Sequence, residues 1–193
     1  MSLKIDRKKD TRTARALTHN LADIPNGVTV SAADLVAGGT LPEGGYIGVD
    51  EAGLYHLIKT AKLTEAAAKT ATTYKVAKGH HFKVGDIIAT DAGAQSNTIT
   101  AIDSTSEATY DTITVDATLD AALAAGAALV QVAAVAAKAA YKYAPKAVLG
   151  DAYLVEALSN HLCAAVTHGQ FKAALCPPAP AGLRALLPTV TFI

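Results

Sequence analysis

The sequence predicts a mainly β protein: a small β-sandwich or barrel-like domain with short helices, an extended basic N-terminal arm, and a C-terminal α+β segment that ends in a strand. Three observations carry this. Between Thr73 and Val132, short runs rich in β-branched residues recur, each bounded by Gly, Asp, Asn or Ser. The alanine-rich stretches that could form helices have few large apolar residues and no amphipathic face. Basic charge collects at one end of a chain whose 17 basic and 17 acidic groups otherwise balance. The expected organisation is a basic arm over 1–25, a β-rich domain over 26–132, and an alanine-rich connector with an oligomerisation or docking segment over 133–193.

Lys4, Arg7, Lys8, Lys9, Arg12 and Arg15 face only Asp6 and Asp10 near the N-terminus. Such a run reads either as a solvated terminus or as an arm that docks on an acidic partner surface. The turn formers Pro25-Asn26 then introduce a strand at Gly27–Val30. Tyr46–Val49 and Leu54–Ile58 read as two strands of a hairpin around Asp50-Glu51-Ala52-Gly53. Leu63–Ala71 is rich in helix formers and reads as a short helix or a linker.

Further strands are expected at Tyr74–Val76, Ile87-Ile88, Thr98–Ile102, Thr112–Val115 and Leu129–Val132. In Thr98–Ile102, alternation puts Ile99 and Ala101 on the buried face. Asp120–Ala125 reads as a helical turn stopped by Gly126. Ala133–Ala140 is nearly all alanine, and its pattern leaves open a helical connector or a strand packed on a symmetry mate. Ala181–Leu187 reads as a short helix, and Thr189–Ile193 as a terminal strand needing a docking place, in its own chain or a neighbour's.

The chain holds 42 alanines, no Trp and three Phe, so large core side chains are few. Alanine buries little apolar area, which favours close packing such as symmetric oligomers provide. Zero formal charge gives no nucleic-acid footprint overall. No apolar stretch is long enough for a membrane span, and the polar, basic start lacks a secretory h-region, so a soluble, cytosol-made protein is expected. Cys163 and Cys176 are then expected as free, partly buried thiols.

No residue set predicts catalysis, a cofactor or a metal. On a strand, adjacent His80 and His81 would point to opposite faces; a turn before Lys83-Val84-Gly85-Asp86 suits them better. Asp103, Asp111, Asp116 and Asp120 match no calcium-loop spacing and read as turn residues. His161 and Cys163, two apart on an expected strand, read as core packing. Neither GxSxG nor a phosphate-binding glycine motif occurs.

The segments Arg7–Asp10, Ala16–Asn20, Ile24–Val30, Gly53–Ala61, Lys78–Asp86, Tyr110–Val115, Leu158–His161 and Leu187–Ile193 together resemble the head fibre (capsid decoration) proteins of tailed bacteriophages, particularly crAss-like phages. That resemblance implies a non-enzymatic virion protein on the outer capsid surface, for shell stabilisation or surface adhesion. It implies a homo-oligomer, commonly a trimer, partnered with the major capsid protein or other head shell proteins. Lys4, Arg7, Lys8, Lys9, Arg12 and Arg15 then become the expected capsid-binding residues. The alternative expectation is a carbohydrate-binding or adhesin-like β module, with Tyr46, Tyr55, Tyr74 and Tyr110 as its stacking side chains.

Overall fold

The computed structural model describes residues 14–157 and 159–193. Strand accounts for 41% and helix for 4%, so the fold is mainly β, as expected, with a curled half-barrel sheet. The chain begins with β1 (Leu17–Asp23), β2 (Val28–Val30), β3 (Thr40–Leu41), β4 (Tyr46–Val49) and β5 (Tyr55–Leu57). It continues through β6 (Thr60–Lys62), β7 (Thr73–Ala77), β8 (Ile87–Ala89), β9 (Ser96–Asp103), β10 (Tyr110–Val115) and β11 (Ala128–Gln131). The last part holds β12 (Ala144–Leu149), β13 (Tyr153–Leu154), β14 (His161–Cys163), β15 (Ala165–Phe171), the helix α1 (Ala181–Ala185) and β16 (Val190–Phe192).

These strands form two large sheets, which cross the boundaries expected from sequence, and a third of two strands, β3 antiparallel to β13. The outer sheet runs β1-β15-β12-β4-β5-β2-β14, with β16 parallel to β15. The inner sheet runs β6-β11-β8-β9-β10-β7, and a Leu63–Val76 bridge brings β7 back to the end of β6. Residues 60–131 are therefore a β lobe inserted between two halves of an outer lobe. The segment 133–193 is no separate unit, because β12, β14, β15 and β16 complete the sheet begun by β1, β2, β4 and β5. Residues 17–23, expected within the arm, are strand β1, bonded along β15.

Alternation explains each lobe's interior. In β10, Asp111, Ile113 and Val115 point inward while Thr112 and Thr114 are only half-buried. Ile113 and Val115 meet Tyr74, Val76, Ile88, Ile99 and Leu129 in the inserted lobe's core. The expected placement of Ala101 fails here: it is exposed. Val115 pairs with Ile99 while Thr114 pairs with Ala101, so Thr100 is an extra residue that resets the alternation. The outer lobe is filled from both ends of the chain, with Val30, Leu41, Ile47, Leu149 and Val155 in one cluster. Tyr46, Val148, Phe171 and Leu183 form another, which Ala89, Val130 and Val132 join from the inserted lobe.

The expected helix at Ala181–Leu187 is present as α1, and the hairpin at Asp50–Gly53 forms as read, with Val49 opposite Tyr55. Two other alanine-rich segments are not helical. Ala67 and Leu123 exchange both backbone hydrogen bonds, at 2.8 Å each, an isolated bridge that ties Leu63–Ala71 to Asp120–Ala125 across otherwise irregular backbone. Tertiary backbone pairing thus overrides alanine's propensity. Ala133–Ala140 is a loop, neither helix nor strand. Its carbonyls at Ala134, Ala136 and Ala139 are taken by Ser96 Oγ, Ser96 N–H and Gly93 N–H.

The turn before β2 needs glycine. Gly27 has φ of +72°, and a Cβ there would lie 2.6 Å from the Cys163 carbonyl oxygen, a backbone atom with no room to retreat. Gly27→Ala should therefore lower unfolding free energy by more than about 1 kcal/mol, measurable by chemical denaturation. An unchanged midpoint would show that β2 and β14 can part at no cost.

Candidate functional site

Two polar assemblies stand out from the apolar lobes. The first fixes the start of the described chain. Glu43 accepts hydrogen bonds from the backbone N–H groups of Ala16 (2.9 Å) and Leu17 (3.0 Å), and its carboxylate pairs with Arg15 Nε at 3.3 Å. Arg15 also donates to the Gly150 carbonyl at 2.9 Å and pairs with Asp151. Two acidic groups and a carbonyl from different loops thus grip one arginine. Of the six expected capsid-binding residues, Arg15 alone is described, and it is committed to its own body. Lys4, Arg7, Lys8, Lys9 and Arg12 lie outside the described residues.

The second assembly lines the seam between the lobes. Lys59 follows β5 where the chain passes into the inserted lobe, and its side chain is 2% exposed. Its ammonium lies 2.8 Å from Asp86 Oδ2. Asp86 also accepts from Lys83 N–H at 2.8 Å and from Gln131 Nε2 at 2.9 Å. Burial pulls Lys59 below the usual lysine range, against the opposing pull of Asp86 and Asp34. Burial acts to raise Asp34, but Lys142 and Lys59 outweigh it and hold that carboxyl low. Beside them His56 stacks on Tyr143 at 4.3 Å and bonds Asp50 through Nε2 at 3.0 Å.

His80 and His81 sit in the loop before the Lys83–Asp86 turn, as expected, and serve different lobes. His80 Nδ1 accepts from Phe82 N–H, leaving Nε2 3.2 Å from Asp111 Oδ2. His81 reaches across the seam: Nδ1 accepts from Val36 N–H at 3.2 Å, and Nε2 donates to the Thr40 carbonyl at 2.9 Å. Both rings are pushed below the ordinary histidine range by burial. No cluster of three or more His, Cys, Asp or Glu suited to a metal occurs among the described residues.

The other candidates take local tasks. Asp103 caps its own turn through Ser106 and Thr105, whose bonds lower it to about 2. Asp111 pairs with Lys78 at 2.6 Å, Asp116 accepts from Thr98 N–H at 2.9 Å, and Asp120 pairs with Lys69 at 3.2 Å. Cys163 lies in the outer core while the half-buried His161 accepts from Glu156 N–H through Nε2. Burial pushes the free Cys163 and Cys176 thiols up to about 11. Tyr46 and Tyr74 are buried in different cores, Tyr55 packs on the outer core, and Tyr110 lies under Lys75, so the four form no stacking platform.

Sequence reasoning missed Lys59 and Glu43. Lys59 had a signal: it is the single charge in the apolar run Leu57-Ile58-Lys59-Thr60-Ala61. Glu43 had none, because its partners lie 26 and more residues away in sequence. No helix among the described residues is long and apolar enough to cross a membrane. Comparison with family models, curated proteins and solved structures gave no match.

Proposed function

We propose that this chain is a virion structural protein, a head fibre or decoration protein seated on the outer face of a tailed-phage capsid as a homo-oligomer, commonly a trimer. The observation that carries the reading is a charge division. Residues 1–13 hold five basic and two acidic groups, while residues 14–193 hold twelve basic and fifteen acidic. A segment of net charge +3 is thereby tied to a body of net charge −3 through the Arg15–Glu43–Asp151 grip. An acidic shell surface attracts the segment and repels the body, which orients the protein outward. The sequence resemblance to head fibre proteins supports the same placement.

In that role Lys4, Arg7, Lys8, Lys9 and Arg12 contact the major capsid protein or a neighbouring shell protein, and Arg15 positions the segment. The test is a deletion ending at Arg12, so that the Arg15 and Glu43 contacts survive. Mixed with undecorated heads, the shortened protein is expected to lose co-sedimentation, and salt is expected to weaken binding of the full chain. Undiminished binding by the shortened protein would remove the basic segment as the anchor.

A further inference from the structure

A cleft of about 200 Å³ opens at the seam where β5 passes into β6, and both lobes line it. Leu57, Ile58 and Ala61 give it a buried apolar lining along the crossing chain. Pro177 and Pro178 line it from the outer lobe, and their fixed φ angles make that wall stiff. Leu175 also lines it and is left exposed, a large apolar side chain at the mouth. A cavity of about 150 Å³ holds a benzene-sized molecule, so this cleft has room for a short apolar chain. Junctions between packed units are places where ligand clefts form, mostly apolar with a few polar groups that fix orientation.

The charged side chains around the cleft have one sign. Lys59, Lys62 and Lys78 line it, and no Asp or Glu does. Lys59 and Lys78 are compensated by Asp86 and Asp111, neither of which is part of the lining. Lys62 is exposed and belongs to no ion pair among the described residues. Acidic groups outnumber basic ones fifteen to twelve across residues 14–193, so a cleft with three lysines and no carboxylate is a local exception.

We infer that this cleft binds a small amphipathic carboxylate, with its apolar chain on Leu57, Ile58 and Pro177 and its charge toward Lys62. A cation would meet three ammonium groups, and a neutral ligand would leave Lys62 unpaired. A wholly polar anion such as phosphate would leave the apolar lining in water. The lining comes from residues 57–62, 77–81 and 175–178, so a bound molecule touches both lobes and stabilises the fold by mass action. The site is separate from capsid binding by the basic segment, and either can fail alone.

Octanoate, octanol, octylammonium and inorganic phosphate serve as probes, each titrated into the full chain by calorimetry. Octanoate is expected to bind more tightly than phosphate, and octylammonium not to bind. Lys62→Gln removes a charge that no ion pair of the fold uses. It is expected to weaken octanoate by up to about fivefold, the range of an exposed ion pair, while octanol binding stays as it was. Leu175→Glu, at an exposed position, should weaken octanoate, and Leu175→Lys should strengthen it. Circular dichroism checks that these variants keep the fold. No octanoate binding at millimolar concentration would overturn the inference, as would phosphate binding equally well. So would an octanoate affinity that none of the three substitutions changes, which would place the ligand elsewhere. Equal losses of octanoate and octanol in Lys62→Gln would overturn it too, because the lysine would then act by its stem and not its charge.

Discussion

Lys59→Ala is expected to lower the free energy of unfolding by about 3–5 kcal/mol, the range found when one partner of a buried ion pair is removed. The reason is what remains behind. Asp86 keeps its bonds from Lys83 N–H and Gln131 Nε2 but loses the cation 2.8 Å away. Asp34, whose low carboxyl owes part of its shift to Lys59, loses support on the opposite side of the seam. Truncation also opens a gap where the aliphatic stem passed between β5 and β6. Lys59→Met keeps most of that stem and should cost less, while still leaving Asp86 uncompensated. Combining Lys59→Met with Asp86→Asn should cost less than the two single changes summed, because no unpaired charge survives. Urea unfolding followed by circular dichroism measures all four. A loss under 1 kcal/mol for Lys59→Ala would show that water enters the seam and serves in place of the ammonium.

That seam also shows where the sequence was legible and where it was not. The β class could be read locally, because Thr112–Val115 and Tyr46–Val49 carry alternation and side-chain type in a few adjacent residues. The hairpin at Asp50–Gly53 was legible for the same reason. What escaped depends on contacts distant in the chain. Nothing near Leu17–Asp23 says that it runs along β15, some 150 residues later, and its mostly exposed side chains hide a strand. At Asp120–Ala125 the helical reading failed because propensity speaks for an isolated segment, whereas Leu123 and Ala67 have their backbone groups taken by each other. The insertion of one lobe into another could not be read from composition, since both lobes draw on the same small, β-branched residues. The position of the histidine pair before the Lys83–Asp86 turn was legible, but the division of His80 and His81 between lobes needed the fold.

His81 carries the second large effect, and it acts through pH. The ring serves as acceptor for Val36 N–H and donor to the Thr40 carbonyl, so only one neutral tautomer fits. A Cβ on Gly39 would lie 2.8 Å from its Cε1, which shows how closely the loop preceding β3 packs on the ring. Burial above all disfavours the protonated ring, against the opposing pull of the Thr40 carbonyl; the charges of Lys59 and Lys83 add to it, and protonation would turn Nδ1 into a donor facing another donor. The folded ring therefore titrates below the unfolded value of about 6.5. The unfolded chain binds the extra proton first, so stability is full above about pH 6.5 and falls as pH drops toward the folded value. His80, also lowered by burial, adds to the same slope. Each histidine contributes up to about 1.4 kcal/mol per pH unit in that window. His81→Gln, whose amide has an acceptor and a donor, should flatten the dependence by one proton while keeping much of the neutral-pH stability. His81→Ala should cost on the order of 2–4 kcal/mol at pH 8, because Val36 N–H and the Thr40 carbonyl are both left without partners. Denaturation midpoints from pH 8 down to pH 5 decide the matter: parallel curves for wild type and His81→Gln would mean that His81 takes up its proton equally in the folded and unfolded chains. If the slopes diverge as expected, amide exchange in residues 36–40 should rise first on acidification, since that loop holds the other half of the His81 bonds.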